Sequence, residues 1–140
     1  MRISLPLTVT IPRKTKDDMK IPLNLNRYRN LHHMNNNQMK VIYKGIVWAE
    51  VRKSEQTIGE PPFRFHYTVF PQSKREFDLG NVLPIVQKFT DDALIELGLI
   101  SDDNYKIVRD VSYSFGGIDK ENPRAELVIE EFRPDEFTSE

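Results

Sequence analysis

The chain has 140 residues, of which 39% are apolar and 29% charged, with a formal charge of −1 and no Cys. That length suits one domain with a core of its own, and the missing Cys excludes disulfide frameworks, thiolate metal sites and Cys nucleophiles. No apolar run approaches the roughly 20 residues of a transmembrane helix, and MRISLPLTVTIP lacks the unbroken apolar block of a signal peptide. The expectation is a soluble, cytoplasmic, single-domain protein with no membrane partner.

Ile3, Leu5, Leu7, Val9 and Ile11 alternate with Ser4, Pro6, Thr8 and Thr10. A period of two predicts one half-buried strand, with Pro6 marking an edge or a strand start. Pro12 to Lys20 is polar and reads as a turn or loop. Ile21 to Leu25 predicts a short second strand. Residues 24–38, NLNRYRNLHHMNNNQ, read as a loop whose Arg27, Tyr28, Arg29, His32 and His33 suit phosphates and bases. From about Asn36 to Lys53 the period turns helical. Met39, Ile42, Ile46 and Ala49 form its apolar stripe, and Lys40, Lys44, Arg52 and Lys53 form a basic face.

Residues 54–62 are a loop by Gly and Pro content. Phe63, Phe65, Tyr67 and Val69 alternate with polar residues and predict a strand. PQSKREF, residues 71–77, is a basic loop carrying Lys74 and Arg75. Asp78 stands directly before a second helix, about Asn81 to Leu97, with Pro84 in its first turn. Its stripe is Val82, Val86, Phe89, Ala93 and Leu97. Asn81, Lys88 and Asp92 fall within roughly 20° of one line on the far side. Gly98 ends the helix, and residues 99–104 form a turn with two carboxylates. Ile107 to Phe115 alternate as a strand, Gly116-Gly117 opens a hairpin-like connection, and Ala125, Leu127 and Ile129 lead the last strand. The tail 133–140 is polar and reads as frayed. The order β(β)αβαββ predicts one α+β domain with a mixed sheet and two main helices.

The chemistry follows from the charges. Residues 1–75 hold 14 Lys and Arg against 5 Asp and Glu, whereas residues 76–140 hold 6 against 16. A basic region can hold a polyanion by releasing its counterions. An acidic region can hold hard cations through carboxylate oxygens. A metal-dependent nuclease needs both, although sequence halves are not faces and folding can mix them. Asp78, Asp91, Asp92, Asp102 and Asp103 flank or lie within the second helix. Phosphodiester hydrolysis with Mg²⁺ needs two or three such carboxylates, with positions left for water and phosphate. Lys88, one turn before Asp92, could stabilise charge on the phosphate. Each acid has a plainer alternative as a helix cap or turn former. The adjacent His32 and His33 point in different directions and read as loop residues rather than a metal pair, and His66 on a polar strand face reads as structural or surface.

Residues 76–112, EFDLGNVLPIVQKFTDDALIELGLISDDNYKIVRDVS, resemble the RusA family of Holliday junction resolvases, small metal-dependent endodeoxyribonucleases often carried by phages. That family has a basic run, Asp-Leu-Asp-Asn, a helix with an essential Lys and Asp-Ala-Leu, and an Asp-Asp pair before a strand. Asn26-Arg27-Tyr28 and the closing ALVIEE are also similar, so the resemblance spans about residues 21–131 and leaves 1–20 as an N-terminal extension of strand and loop. The resemblance implies catalytic roles for Asp78, Lys88 and Asp103. It also implies Mg²⁺, or Mn²⁺ in its place, held by Asp78, Asp102, Asp103 and Asp92. Lys88 matches the essential Lys once four residues are placed after Asn81, close to one helical turn. Gly80 stands where the family has its second Asp. Another acid, such as Asp92 or Asp102, replaces it, or metal binding is weakened, or cleavage is lost and DNA binding remains.

The reading is a structure-selective nuclease for branched DNA in phage recombination or repair, with a DNA-binding but inactive relative of the same fold as the alternative. Arg27, Arg29, Lys40, Lys44, Arg52, Lys53, Lys74 and Arg75 would track phosphates. Seventeen helical residues span roughly 25 Å, so Asp78 and Asp103 meet in one chain only if residues 99–103 fold far back. A two-fold homodimer with antiparallel helices would instead set Asp78 of one copy beside Asp103 of the other.

Overall fold

The computed structural model describes residues 1–75 and 77–133. Glu76 and most of the polar tail expected at 133–140 therefore lie outside the described residues. The fold is a single α+β domain with a mixed sheet and two main helices. Its elements are β1 (Arg2–Leu5), β2 (Thr8–Ile11), β3 (Met19–Pro22), α1 (Leu25–Arg29), α2 (His33–Ser54), β4 (Phe63–Phe70), α3 (Leu79–Glu96), β5 (Val108–Phe115) and β6 (Arg124–Glu131).

The main sheet has the order β1-β6-β4-β5, and β2 and β3 form a separate two-stranded sheet. β4 is parallel to β5 and antiparallel to β6. Its alternation works as expected: Phe63, Phe65, Tyr67 and Val69 are buried, and Arg64, His66, Thr68 and Phe70 point to the opposite face. The buried side chains meet a helical layer. Met39, Tyr43, Val47 and Val51 of α2 and Leu83, Val86, Phe89 and Leu94 of α3 complete the core. Tyr43 and Phe89 bring their rings to 5.6 Å across the α2–α3 contact, a separation typical of favourable aromatic pairs.

Several expectations change. The single N-terminal strand is two strands in two sheets, broken at Pro6 and Leu7, because Pro6 cannot donate to a continuing ladder. Residues 1–20 are integral to the fold: Ile3 and Leu5 are buried and β1 pairs with β6. The second strand begins at Met19, earlier than expected. The loop at 24–38 contains α1 and the start of α2. Asn24 caps α1 by accepting the Arg27 N–H, and His32 caps α2 by accepting the Met34 N–H. The buried stripe of α2 follows four-residue steps from Met39, so Ala49 is exposed. Since α3 starts at Leu79, Pro84 sits beyond its first turn and removes the N–H that Gly80 O would accept.

The largest change concerns β5 and β6, which do not form a hairpin. β4 lies between them and pairs with both. Gly116 is required by close approach, since a Cβ there would collide with the Phe70 ring and the Thr68 methyl. The topology also fixes the placement of α3. A crossover between parallel strands must run back along the sheet, so α3 carries the chain from the C-terminal end of β4 to the N-terminal end of β5. Asp78 thus lies at one end of the sheet and the Asp102-Asp103 turn at the other.

Candidate active site

At the N-terminal end of α3, the Asp78 Oδ1 accepts the Gly80 N–H at 2.9 Å. Asp78 is the N-cap, which satisfies one of the orphan donors of the first turn. Gly80 has room beside it. The nearest atom to a Cβ built there is Asp78 Oδ1 at 3.4 Å, an ordinary contact. A carboxylate at position 80 would fit next to Asp78.

At the C-terminal end, Leu97 closes the helix and Gly98 takes φ +76°. The Leu99 N–H returns to Leu94 O at 2.9 Å, so the chain reverses in a Schellman-type turn. Asp102 organises the loop that follows. Its Oδ1 accepts the Asp103 N–H at 2.7 Å and its Oδ2 accepts the Asn104 amide at 2.8 Å. Those bonds, from the Asp103 backbone first and Asn104 second, hold the Asp102 carboxyl below the usual carboxylate range. Asp103 is exposed and makes no ion pair among the described residues.

The turn brings Asp103 within electrostatic reach of a residue that sequence reasoning left without a role. Asp91 is 4% exposed, and its Oδ1 is buried with no hydrogen-bond partner. Burial pushes the Asp91 carboxyl up to about 7, and the Asp103 charge pushes in the same direction. A hydrogen bond from Gln87 opposes this, Asp92 adds to it, and the Lys88 ammonium opposes it. Gln87 lies one turn before Asp91 on the same helix face. The Tyr113 hydroxyl donates to Gln87 Oε1. Tyr67 packs edge-on to Tyr113 at 5.9 Å. Burial, then the Asp91 charge, raises both phenols.

The other expected site residues divide. Lys88 is exposed, with its Nζ 5.9 Å from the Tyr28 ring centroid, which brings the Asn26-Arg27-Tyr28 segment to α3. Asp92 faces α2 and pairs with Lys40 at 3.8 Å, a partly exposed bridge worth about 0–1 kcal/mol. Along α3, Asp78 and Asp91 are separated by roughly 20 Å of helix. Among the described residues no group of three or more His, Asp and Glu comes together to hold a metal. Within one chain the crossover holds Asp78 at the opposite end of α3 from Asp102 and Asp103, and Asp92 is turned to Lys40. Asp91, with one buried oxygen left without a hydrogen-bond partner, and exposed Asp103 carry oxygen donors of the type that hard divalent cations take.

The charge division is partly mixed by the sheet. Arg2 pairs with Glu126 at 3.0 Å and Arg64 with Asp110 at 3.3 Å. Arg27, Arg29, Lys44, Arg52, Lys53, Lys74 and Arg75 make no ion pair among the described residues. His66 is held between the Ser112 and Ser114 hydroxyls on the open sheet face, and the His32 and His33 rings stack on each other. No helix is long and apolar enough to cross a membrane among the described residues. No family model matches the sequence, and no curated protein matches it.

Proposed function

We propose that this protein is a Mg²⁺-dependent endodeoxyribonuclease selective for branched DNA, of the Holliday junction resolvase type that residues 76–112 resemble. It would act in the cytoplasm of a bacterial or phage-infected cell, in recombination or repair. The observation that carries the reading is Asp91 on α3, a buried carboxylate with one orphaned oxygen, followed by the Asp102-organised turn that leaves Asp103 exposed. Lys88 would neutralise charge developing on the scissile phosphate. The unpaired cations of α1, α2 and the 71–75 loop would hold phosphates without reading sequence. A bound divalent ion would polarise the phosphate and lower the pKa of its water.

The separation of Asp78 from Asp103 supports a working homodimer, in which Asp78 of one copy completes the site at Asp103 of the second. Two such centres would suit paired cuts in a two-fold junction. Fluorescence anisotropy with a four-way junction, followed by Mg²⁺, tests the proposal. Salt-sensitive binding and cleavage that EDTA abolishes are expected. Absence of binding at low salt would exclude it.

A second reading, a binder that no longer cuts, draws on Gly80 and on the lack of a three-carboxylate group in one chain. It predicts binding without cleavage, and cleavage gained on Gly80→Asp.

A further inference from the structure

We propose that the exposed face of α2 binds unpaired nucleotides, with Trp48 stacking on a base and Lys44 and Arg52 holding the phosphates on either side. This rests on the nucleic-acid part of the nuclease reading and adds what the protein would recognise at a branch. Trp48 is the chain's one Trp, and it is 43% exposed. Val41, 72% exposed, stands seven residues earlier and so falls within about 20° of Trp48 around the helix. Lys44 and Arg52 flank Trp48 four residues away on each side, roughly 6 Å along the axis. Arg52 Cζ lies 6.0 Å from the Trp48 ring centroid. That is the outer limit of a cation–π contact, and such contacts are weak at exposed sites, so Arg52 can leave the ring for a phosphate.

The charges select the occupant. Lys44 and Arg52 make no ion pair among the described residues. The one acid within α2 is Glu50, and its Oε1 is turned to the Ser4 N–H at 2.9 Å. An aromatic ring between two cations, with no carboxylate of α2 competing, suits a single strand of any sequence, because every base has a π-face. The strip continues into a shallow apolar cleft of about 380 Å³ between the end of β2 and α2, lined by Ile11, Pro12, Val41 and Ile42 with Asn37 and Gln38. The cleft has room for a second base, and the two amides can hydrogen-bond its edge. A base inside a duplex offers Trp48 no face, whereas an unpaired base at a branch point does. A second copy of α2 fits less well, since a two-fold contact centred on Trp48 would set Lys44 of one copy against Arg52 of the other.

The single Trp is its own probe. The full-length protein, without divalent ion, should be titrated with a short oligothymidine strand and with a blunt duplex of the same length. The strand should quench the indole fluorescence and the duplex should not. By anisotropy of the labelled DNA, Trp48→Ala should weaken single-strand binding about 10-fold and leave duplex binding within about 2-fold. Trp48→Phe keeps a ring and should stay within about 3-fold of the wild type on the strand. Absence of single-strand binding, binding without quenching, or equal losses on strand and duplex would overturn the proposal. So would a dimer that Trp48→Ala abolishes while single-strand affinity is unchanged, an outcome that gives this face to a second copy. The nuclease reading fails separately: quenching by the strand with no junction cleavage on adding Mg²⁺ would end that reading and keep the strip, and cleavage without quenching would do the reverse.

Discussion

Asp78 and Asp91 lie toward opposite ends of α3 and meet different surroundings. Asp78 sits at the helix N-terminus, where its Oδ1 takes the Gly80 N–H and the helix dipole favours its charge. Asp91 is buried on the core side of α3, with one oxygen orphaned. The first carboxylate serves the fold as well as any chemistry. The second opposes the fold while ionised.

The contrast can be broken at either end. The larger effect is expected at Asp91. In metal-free protein its neutral form favours the folded state, because its carboxyl rises from an ordinary 3.8 to about 7 on folding. That contribution is full below about pH 4, declines as pH rises, and is lost above about pH 7, with a ceiling of about 4 kcal/mol. Urea midpoints should fall between pH 5 and pH 8 in the wild type. Asp91→Asn should flatten that slope and give the more stable chain at pH 8. The smaller effect is expected at Asp78. Asp78→Ala should cost about 1 kcal/mol through the lost cap, while Asp78→Asn, itself a good cap, should cost little. Both should lose cleavage. A stable but inactive Asp78→Asn separates chemistry from capping. An active one would remove Asp78 from the site.

Some of this was legible in the sequence because it is local. The alternation of Phe63, Phe65, Tyr67 and Val69 fixes a strand face, and Asp78 with Gly98 brackets a helix. Strand pairing was not legible, because Gly116-Gly117 reads like a hairpin turn while the actual partner of β5 is β4, distant in sequence. The burial of Asp91 is hidden for a different reason. The stripe drawn through Val82, Val86, Phe89, Ala93 and Leu97 is too narrow. Leu83 and Leu94 are also buried, and they widen the covered arc toward Gln87 and Asp91. The resemblance points to the neighbouring Asp92 of Asp-Ala-Leu, which pairs with Lys40. A Gln and an Asp four residues apart at the margin of an apolar stripe were the available signal.

Because α3 keeps its two ends apart in one chain, the proposed nuclease would need two copies to build each centre. Asp78→Ala chains and Asp103→Ala chains, each inactive alone, should be mixed, allowed to exchange, and tested on a four-way junction with Mg²⁺. Each heterodimer would carry one intact centre, so nicking should return on mixing. Heterodimers that form and bind the junction yet never nick it would contradict the account.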